Sequence, residues 1–252
     1  MGRCFSVKKM TEAAFISARS KVLGEVSALS ASGIGTLAEK TLHRTLKLAL
    51  EPDEAYHEIE FLGSIADIKR EGQIYEIQTH SAERLLPKLQ KFLKEASVTV
   101  VLPVIERRII RRLNKATGEI SPPKVSPKHE SVYTAIGEIY KLRRFLTDGG
   151  LSVKLVFLEA EEYRLVGAKR GKRKLDVLPT RLLSVMELST KRDYLNAVGC
   201  IPDGEFTAAT LAAQNKCPRR LSSALAGVLY SVGVIDRVGK DKNAYVYTKA
   251  EE

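Results

Sequence analysis

The sequence predicts an α/β protein in which helices flank a mixed central sheet and a smaller C-terminal unit follows. Between residues 34 and 102 the chain reads as a helix, three strand-like runs, a second helix and a buried strand, an order typical of a mixed sheet covered by helices. Residues 190–252 instead favour two short helices and a β-hairpin. We therefore expect three parts: an N-terminal helix or mobile arm over 1–32, the α/β domain over 33–188, and the smaller unit over 190–252.

The individual elements are predicted from apolar periodicity and from residues that break regular structure. A helix over 34–50 ends where Pro52 cannot continue it. Residues 107–120 favour a strand, a turn and a returning strand, although the spacing of their arginines also suits one face of a helix. The other expected elements are strands at 56–62, 64–69, 73–79, 98–102 and 152–158, helices at 82–96 and 132–146, loops at 121–127 and 169–174, and helical turns at 182–188.

Composition excludes a membrane-embedded protein and a disordered one. Hydrophobic residues make up 44% of the 252 residues and charged residues 28%, and no apolar run approaches the roughly 20 residues that span a bilayer. The first residues carry lysines but no continuous apolar segment, so we expect a cytoplasmic protein without a secretory signal. Cys4, Cys200 and Cys217 are odd in number and widely spaced, which predicts free thiols rather than disulfides or a zinc site.

The basic charge favours a polyanionic partner. The formal net charge is +11, and each lysine or arginine placed against a phosphate releases condensed counterions. A solvated basic face is the alternative interpretation. The candidate nucleic-acid-binding residues form clusters, which are Arg107, Arg108, Arg111 and Arg112, then Lys172, Arg173 and Lys174, and then Arg219 and Arg220.

The acidic residues that carry the strongest functional hypothesis lie on a tight β-hairpin. Glu71 and Gly72 form its predicted two-residue turn, because glycine at the second position permits a positive φ. Counting outward from this turn places Asp67 directly opposite Glu76. Like charges at such a cross-strand pair are destabilising unless a cation neutralises them. Strand alternation puts Gln78 on the same face as Glu76.

The preceding helix supplies a further candidate ligand. Glu39 and His43 continue a row whose other members, Leu46 and Leu50, are apolar and expected to face the sheet. A glutamate turned toward a core needs a partner. Hard oxygen ligands of this kind suit Mg²⁺ or Mn²⁺ better than zinc, so the pattern predicts a divalent-metal site with Glu39, Asp67 and Glu76 as ligands.

These residues resemble the motif of the PD-(D/E)xK phosphodiesterase superfamily, which includes restriction endonucleases and Holliday-junction resolvases. Its pattern is a glutamate on a helix, an aspartate on a strand, and then an acidic residue, any residue and lysine. Here Glu39, Asp67 and Glu76-Ile77-Gln78 match in order over residues 33–105, with glutamine in place of lysine and no proline before Asp67. The resemblance implies a restriction-endonuclease-like fold and a catalytic site of Glu39, Asp67, Glu76 and Gln78.

The C-terminal residues resemble a winged-helix domain. A short helix begins at Phe206, a second runs over 219–232, and a hairpin with a basic tip covers 234–247. In that family the second helix enters the major groove and the wing contacts the DNA backbone. The resemblance therefore implies DNA contacts by residues at the start of the second helix and on the wing, although winged helices also mediate protein contacts. These residues are Arg219, Arg220, Ser222 and Ser223 on the helix and Lys240 and Lys242 on the wing.

Together these observations predict a Mg²⁺- or Mn²⁺-dependent endonuclease that acts on DNA. In this hypothesis Gln78 positions the attacking water, and the basic clusters hold the phosphate backbone. A homodimer is one expected assembly, because nucleases that cut both strands often act as dimers; no membrane association is expected. Two alternatives remain: a non-catalytic DNA-binding regulator that retains a nuclease fold, favoured by Gln78, and an RNA-processing nuclease.

Overall fold

The computed structural model describes residues 10–31, 41–114, 116–147, 149–168 and 171–251. The helices are α1 (Glu12–Ala31), α2 (Thr41–Leu50), α3 (Leu86–Phe92), α4 (Val132–Ile139), α5 (Lys191–Val198), α6 (Ala208–Gln214) and α7 (Ser222–Ser231). The strands are β1 (His57–Phe61), β2 (Ser64–Arg70), β3 (Gln73–Ile77), β4 (Ser97–Asn114), β5 (Lys124–Val125), β6 (Leu151–Ala168), β7 (Gly171–Leu188), β8 (Phe206–Thr207), β9 (Ile235–Asp241) and β10 (Ala244–Lys249).

A mixed seven-stranded sheet organises the larger part of the molecule, as predicted. Its strand order is β1-β2-β3-β4-β6-β7, with β5 added beside β4. Strands β3, β4 and β6 are mutually parallel, and the outer pairs are antiparallel. The run Val98–Leu102 is buried throughout because the sheet is covered on both faces.

Helices cover the two faces of this sheet with two separate hydrophobic clusters. On one face α3 and α4 pack over Val100, and on the other α1 and α2 pack over Val101. Neighbouring residues of β4 enter opposite clusters because side chains alternate along a strand. The N-terminal segment, predicted as a helix or an arm, is helical over Glu12–Ala31, with Phe15 fully buried.

Several predicted elements are confirmed, but predictions for two segments of the long β6–β7 hairpin are wrong. Residues 107–114 are the end of β4, and the chain returns through the Leu113↔Ile120 bridge and β5, so the helical alternative is wrong. The segment 182–188, predicted as helical, is the end of β7. Its residues pair with β6 through contacts such as Leu158↔Leu182, so strand pairing outweighs the helix propensity of leucine and methionine. Residues 171–174, predicted as part of a loop over 169–174, likewise belong to β7, and 169 and 170 lie outside the described residues.

The C-terminal unit contains two short helices followed by a hairpin, as predicted, but the bounds differ. Phe206 and Thr207, predicted to begin the first helix, form β8, and residues 219–221, predicted to begin the second, form a 3₁₀ turn before α7. Helix α5 was not predicted. Strands β8, β10 and β9 form a small sheet in that order, and β9–β10 is the hairpin that the resemblance predicted as a wing. Helix α7 also packs against α4 and the 3₁₀ turn Tyr140–Phe145 of the larger part. Buried residues of α7 and α4 belong to one continuous hydrophobic cluster. No helix in the described part of the chain is long and apolar enough to cross a membrane.

Candidate active site

The hairpin β2–β3 has the predicted register. Ile68 pairs with Tyr75, Lys69 with Ile74, and Arg70 with Gln73. The two turn residues both have positive φ, 49° at Glu71 and 82° at Gly72, as a two-residue hairpin turn of this type requires. This register confirms the sequence prediction and directs Asp67 and Glu76 toward each other.

The strands separate at Asp67 and Glu76, and the two carboxylates occupy the fork. The backbone ladder ends at Ile68↔Tyr75. Beyond it, the Ile77 amide donates to Asp67 Oδ2 at 2.7 Å, and the Asp67 amide donates to Glu76 Oε1 at 3.4 Å. Each carboxylate therefore accepts from a backbone group of the opposite strand, which fixes both acids in place.

Two side chains from neighbouring helices, an imidazole and an ammonium group, contact these acids. His43 Nε2 of α2 lies 3.1 Å from Asp67 Oδ2, and Lys88 Nζ of α3 lies 2.8 Å from Glu76 Oε2. Glu76 is only 1% exposed. A buried carboxylate without a partner is strongly unfavourable, so Lys88 offsets part of the desolvation of Glu76.

The surroundings move the pKa values of the two acids in opposite directions. Burial, followed by the charge of Asp67, raises the pKa of Glu76 to about 7. Burial also acts to raise the pKa of Asp67, but His43, the Ile77 amide and Lys88 together outweigh it and hold that pKa below its ordinary value. Two close acids with separated pKa values are typical of sites where one group stays charged while the other exchanges a proton.

The structure brings together two of the three predicted metal ligands, Asp67 and Glu76. Asp67 Oδ1 accepts no hydrogen bond from the described residues, whereas both oxygens of Glu76 have donors. The described residues contain no group of three or more His, Cys, Asp or Glu arranged to hold a metal ion. Glu39, the third predicted ligand, lies outside the described residues.

Gln78 lies just beyond the end of β3. Its amide continues the parallel pairing by donating to the Val101 carbonyl at 2.9 Å. Its side-chain Oε1 accepts a 3.1 Å hydrogen bond from the His80 amide. The carboxamide oxygen is thus engaged in the local turn, and a role of Gln78 in positioning water stays a prediction.

Sequence reasoning did not assign a role to the two side chains that contact these acids. His43 was visible on the apolar row of α2, but its contact with Asp67 depends on how α2 packs on the sheet. Lys88 follows Glu76 by twelve positions in the next helix. The sequence did contain one indication of this contact. The motif has glutamine at its usual lysine position, and the helix that follows the motif contains a lysine.

The arginine cluster of β4 is largely paired with acids. Arg111 makes a bidentate contact with Glu161, at 2.8 and 3.0 Å. Arg108 contacts Glu130 and Glu162, and exposed Arg107 lies 3.7 Å from Glu159. Arg112 is half-buried, and its Nε has no hydrogen-bond partner in the described part. This cluster therefore presents less free positive charge to a phosphate than its sequence indicates.

The other predicted phosphate contacts are mostly on the surface. Lys174 is exposed on β7, whereas the side chains of Lys172 and Arg173 lie outside the described residues. Arg219 and Arg220 are exposed in the 3₁₀ turn before α7. At the start of α7, Ser223 is exposed and Ser222 is half-buried, and on the wing Lys240 and Lys242 are exposed. The wing also holds Arg237 over the Tyr245 ring at 3.6 Å, with Lys240 at 4.8 Å from the same ring.

Residues 40–190 match the family model described as a domain of unknown function, DUF8091. The chain belongs to this family. The DUF8091 match contains the elements from α2 to β7, including the β2–β3 fork, and leaves α1 and the C-terminal helices outside it. No curated protein and no solved structure matches the chain.

Proposed function

We propose that this DUF8091 protein is a metal-dependent phosphodiesterase of the cytoplasm that cleaves nucleic acid internally, with DNA as its preferred substrate. The observation that carries the proposal is the pair of carboxylates in the β2–β3 fork. Each of Asp67 and Glu76 accepts a hydrogen bond from a backbone amide of the opposite strand. The pKa values of the two acids are shifted in opposite directions, and Lys88 contacts Glu76. This combination supports proton transfer and charge stabilisation at one place.

The donor chemistry of the fork suits Mg²⁺ or Mn²⁺. Mg²⁺ in enzymes is commonly held by one or two carboxylates, with substrate phosphate and water completing its shell. Asp67, through Oδ1, and Glu76 would provide the carboxylates, and Glu39 is a further candidate. When bound, such an ion supplies Lewis-acid chemistry and a more acidic water. The fork then has the hard oxygen donors that this chemistry needs.

The protein's own groups have distinct roles in this proposal. Lys88, 2.8 Å from Glu76 Oε2, places a positive charge where negative charge develops on a phosphate, which lowers the barrier when the donor is fixed beforehand. In the metal-free protein the pKa of Glu76 is raised to about 7, and a bound cation would favour its charged form, in which it can act as a carboxylate ligand. His43 keeps Asp67 charged and oriented. Gln78 remains the proposed water-positioning group through its Nε2.

The rest of the surface supports a nucleic-acid substrate. The net charge of +11 attracts phosphate at long range. Exposed Arg219 and Arg220, with Lys240 and Lys242 on the wing, provide sequence-independent backbone contacts. Helix α7 packs against α4, and Arg219 and Arg220, just before α7, stay exposed for such contacts.

A DNA-binding regulator without catalytic activity is the second candidate. Both carboxylates of the fork already have a protein side chain as a partner, the Lys88 ammonium group for Glu76 and the His43 imidazole for Asp67. A protein that kept the nuclease fold only as a scaffold for binding DNA would also contain carboxylates paired in this way. The pairing of both carboxylates therefore favours a non-catalytic regulator as the second candidate.

The two functions differ in a cleavage assay. Supercoiled, branched and single-stranded DNA and single-stranded RNA are incubated with the wild type in Mg²⁺, in Mn²⁺ and in EDTA, beside Asp67→Ala. The proposal expects metal-dependent cleavage of DNA that the variant lacks. Cleavage of RNA alone would move the substrate to RNA, and binding without cleavage of any substrate would support the regulator.

A further inference from the structure

Aromatic and cationic side chains meet on one face of the β9–β10 hairpin. The guanidinium carbon of Arg237 lies 3.6 Å from the centroid of the Tyr245 ring and 4.7 Å from that of Tyr230 in α7. Lys240 Nζ lies 4.8 Å from the Tyr245 centroid. At these distances a cation is attracted to the face of an aromatic ring. We call these four residues, Tyr230, Arg237, Lys240 and Tyr245, the tyrosine platform.

The two rings of the platform are accessible to solvent, and a buried ring supports them. Tyr230 is 42% exposed and Tyr245 is 39% exposed, whereas Tyr247 is only 4% exposed. The Tyr247 centroid lies 6.5 Å from the centroid of each exposed ring, at interplanar angles of 60° and 62°. Contacts with Tyr247 and Arg237 hold both exposed rings in place, so little conformational freedom remains to be lost when a ligand stacks on them.

The cations of the platform keep their hydrogen-bonding capacity. Neither the Arg237 guanidinium nor the Lys240 ammonium group forms a hydrogen bond or a salt bridge with another residue in the described part of the chain. Arg108 and Arg111 of β4, by contrast, are paired with glutamates. A guanidinium has five N–H donors in a planar fork that fits phosphate oxygens. The platform therefore presents unused donors beside exposed rings.

The acids of the hairpin point away from the platform. Arg237 and Lys240 pair with the two tyrosines of β10, whereas their neighbours Asp236 and Asp241 pair with non-aromatic residues of β10. Because adjacent residues of a strand point to opposite faces, both acids lie on the face opposite to the rings. Acids elsewhere in the C-terminal unit do not cancel the charge, since residues 190–252 contain nine basic and seven acidic residues, a net charge of +2.

This combination of rings and cations fits an unpaired nucleic-acid strand. Bases outside a duplex stack on aromatic rings and on arginine guanidinium planes, and basic side chains beside them contact the backbone. In a duplex the base faces are covered by neighbouring base pairs, so paired DNA offers phosphates to the cations but little base surface to Tyr230 and Tyr245. The rings therefore select for unpaired bases, and the cations add affinity for any strand.

We propose that the tyrosine platform binds unpaired bases of the substrate strand, which stack on Tyr230 and Tyr245 while the two cations contact its phosphates. The inference rests on the nucleic-acid substrate of the proposed function and is independent of cleavage. It makes a strand with a single-stranded region, such as an overhang or a branch, the preferred ligand of the C-terminal unit. DNA and RNA both present such bases, so the experiment compares the two.

Binding in EDTA, where no metal-dependent cleavage occurs, tests the platform. The full-length chain is titrated with a labelled single strand, an abasic strand of the same length and a blunt duplex. Tyr245→Leu and Tyr230→Leu remove one ring each, whereas Tyr245→Phe keeps the ring. We expect each leucine variant to raise the Kd for the base-bearing strand at least about fivefold, with unchanged Kd values for the abasic strand and the duplex. We expect Tyr245→Phe to bind like the wild type.

Tyr56→Leu is the matched control. Arg70 lies 4.5 Å from the Tyr56 ring centroid in the larger part of the chain, so this variant removes a tyrosine with a stacked arginine outside the platform. We expect it to bind every ligand like the wild type. Thermal unfolding verifies that all variants are folded.

Four outcomes would overturn the inference: a wild type that binds no single strand, folded leucine variants that bind it like Tyr56→Leu, equal weakening for the abasic strand, or a Tyr245→Phe variant as weak as Tyr245→Leu. Strands of DNA and of RNA are compared in the same titrations, and dependence on the rings identifies which strand the platform binds. Failure of the nuclease proposal gives binding without cleavage, whereas failure of the platform gives single-strand binding that is absent or independent of Tyr230 and Tyr245.

Discussion

Glu76 is buried between the Asp67 amide and the Lys88 ammonium group, and its charge depends on both. Its pKa of about 7 lies above the ordinary value of 4.5, so the folded protein binds a proton there that the unfolded chain releases. Stability from this group is present below the unfolded pKa and is lost as the pH rises through the folded pKa. Asp67, with a lowered pKa, acts in the opposite direction at more acidic pH.

We predict that Glu76→Gln removes this loss of stability. Between pH 4.5 and pH 7 the free energy of unfolding of the wild type falls relative to that of the variant, by at most about 3 kcal/mol. Urea unfolding at pH 5 and pH 8 measures the difference. Glu71→Gln, at an exposed acid in the turn, is the control and is expected to have no such effect. A wild type and a Glu76→Gln variant with the same pH dependence would refute the assigned pKa shift.

At the scale of elements, the tight turn of the β2–β3 hairpin sets the position of both carboxylates. Gly72 has a φ of 82°, a conformation that costs other residues energy, and a Cβ there would meet no atom within 4 Å. The cost of a side chain at this position is therefore a backbone cost alone.

We expect Gly72→Ala to destabilise the protein by about 1–2 kcal/mol. Gly149→Ala is the matched control, because Gly149 has equal space but no positive φ, so alanine there is neutral or stabilising. Equilibrium unfolding of both variants in urea provides the comparison. Equal stability of the two variants would argue against the observed turn.

The hairpin register could be predicted because it depends on a few consecutive residues and one glycine. The contact of Lys88 with Glu76 could not, because it depends on how α3 packs on the sheet. The same holds for Arg111, whose partner Glu161 is brought near by the parallel pairing of β4 with β6. Segment 182–188 was assigned wrongly because its leucines favour a helix locally, whereas β6 is available as a pairing partner only in the folded chain.

At the scale of the whole molecule, the C-terminal unit and the larger part share a hydrophobic cluster. Gly227 of α7 lies against Tyr140, and a Cβ at Gly227 would come within 2.4 Å of the Tyr140 ring. The absence of a side chain allows the two helical segments to approach closely. The helix-turn-helix is thereby docked on α4 rather than tethered by a linker.

We predict that Gly227→Ala destabilises the protein by about 1–3 kcal/mol through overpacking against Tyr140. The matched control is Gly24→Ala, at an interior glycine of α1 with no neighbour within 4 Å. We expect this substitution to stabilise the protein by about 0.5–1 kcal/mol. The opposite signs are measured by thermal unfolding. A stabilising Gly227→Ala would show that α7 is not docked as described.

The most direct test of the proposed function compares the initial rates of metal-dependent DNA cleavage by wild type, Asp67→Asn and Asp53→Asn. Asp53 is an exposed N-cap residue, a position at which asparagine is as favourable as aspartate. Asp53→Asn therefore removes the same charge as Asp67→Asn, but at a site outside the fork. We predict that Asp67→Asn loses at least about a hundredfold in rate, while Asp53→Asn cuts like the wild type. A folded Asp67→Asn variant that cuts at the wild-type rate would contradict the assignment of the fork as the hydrolytic site.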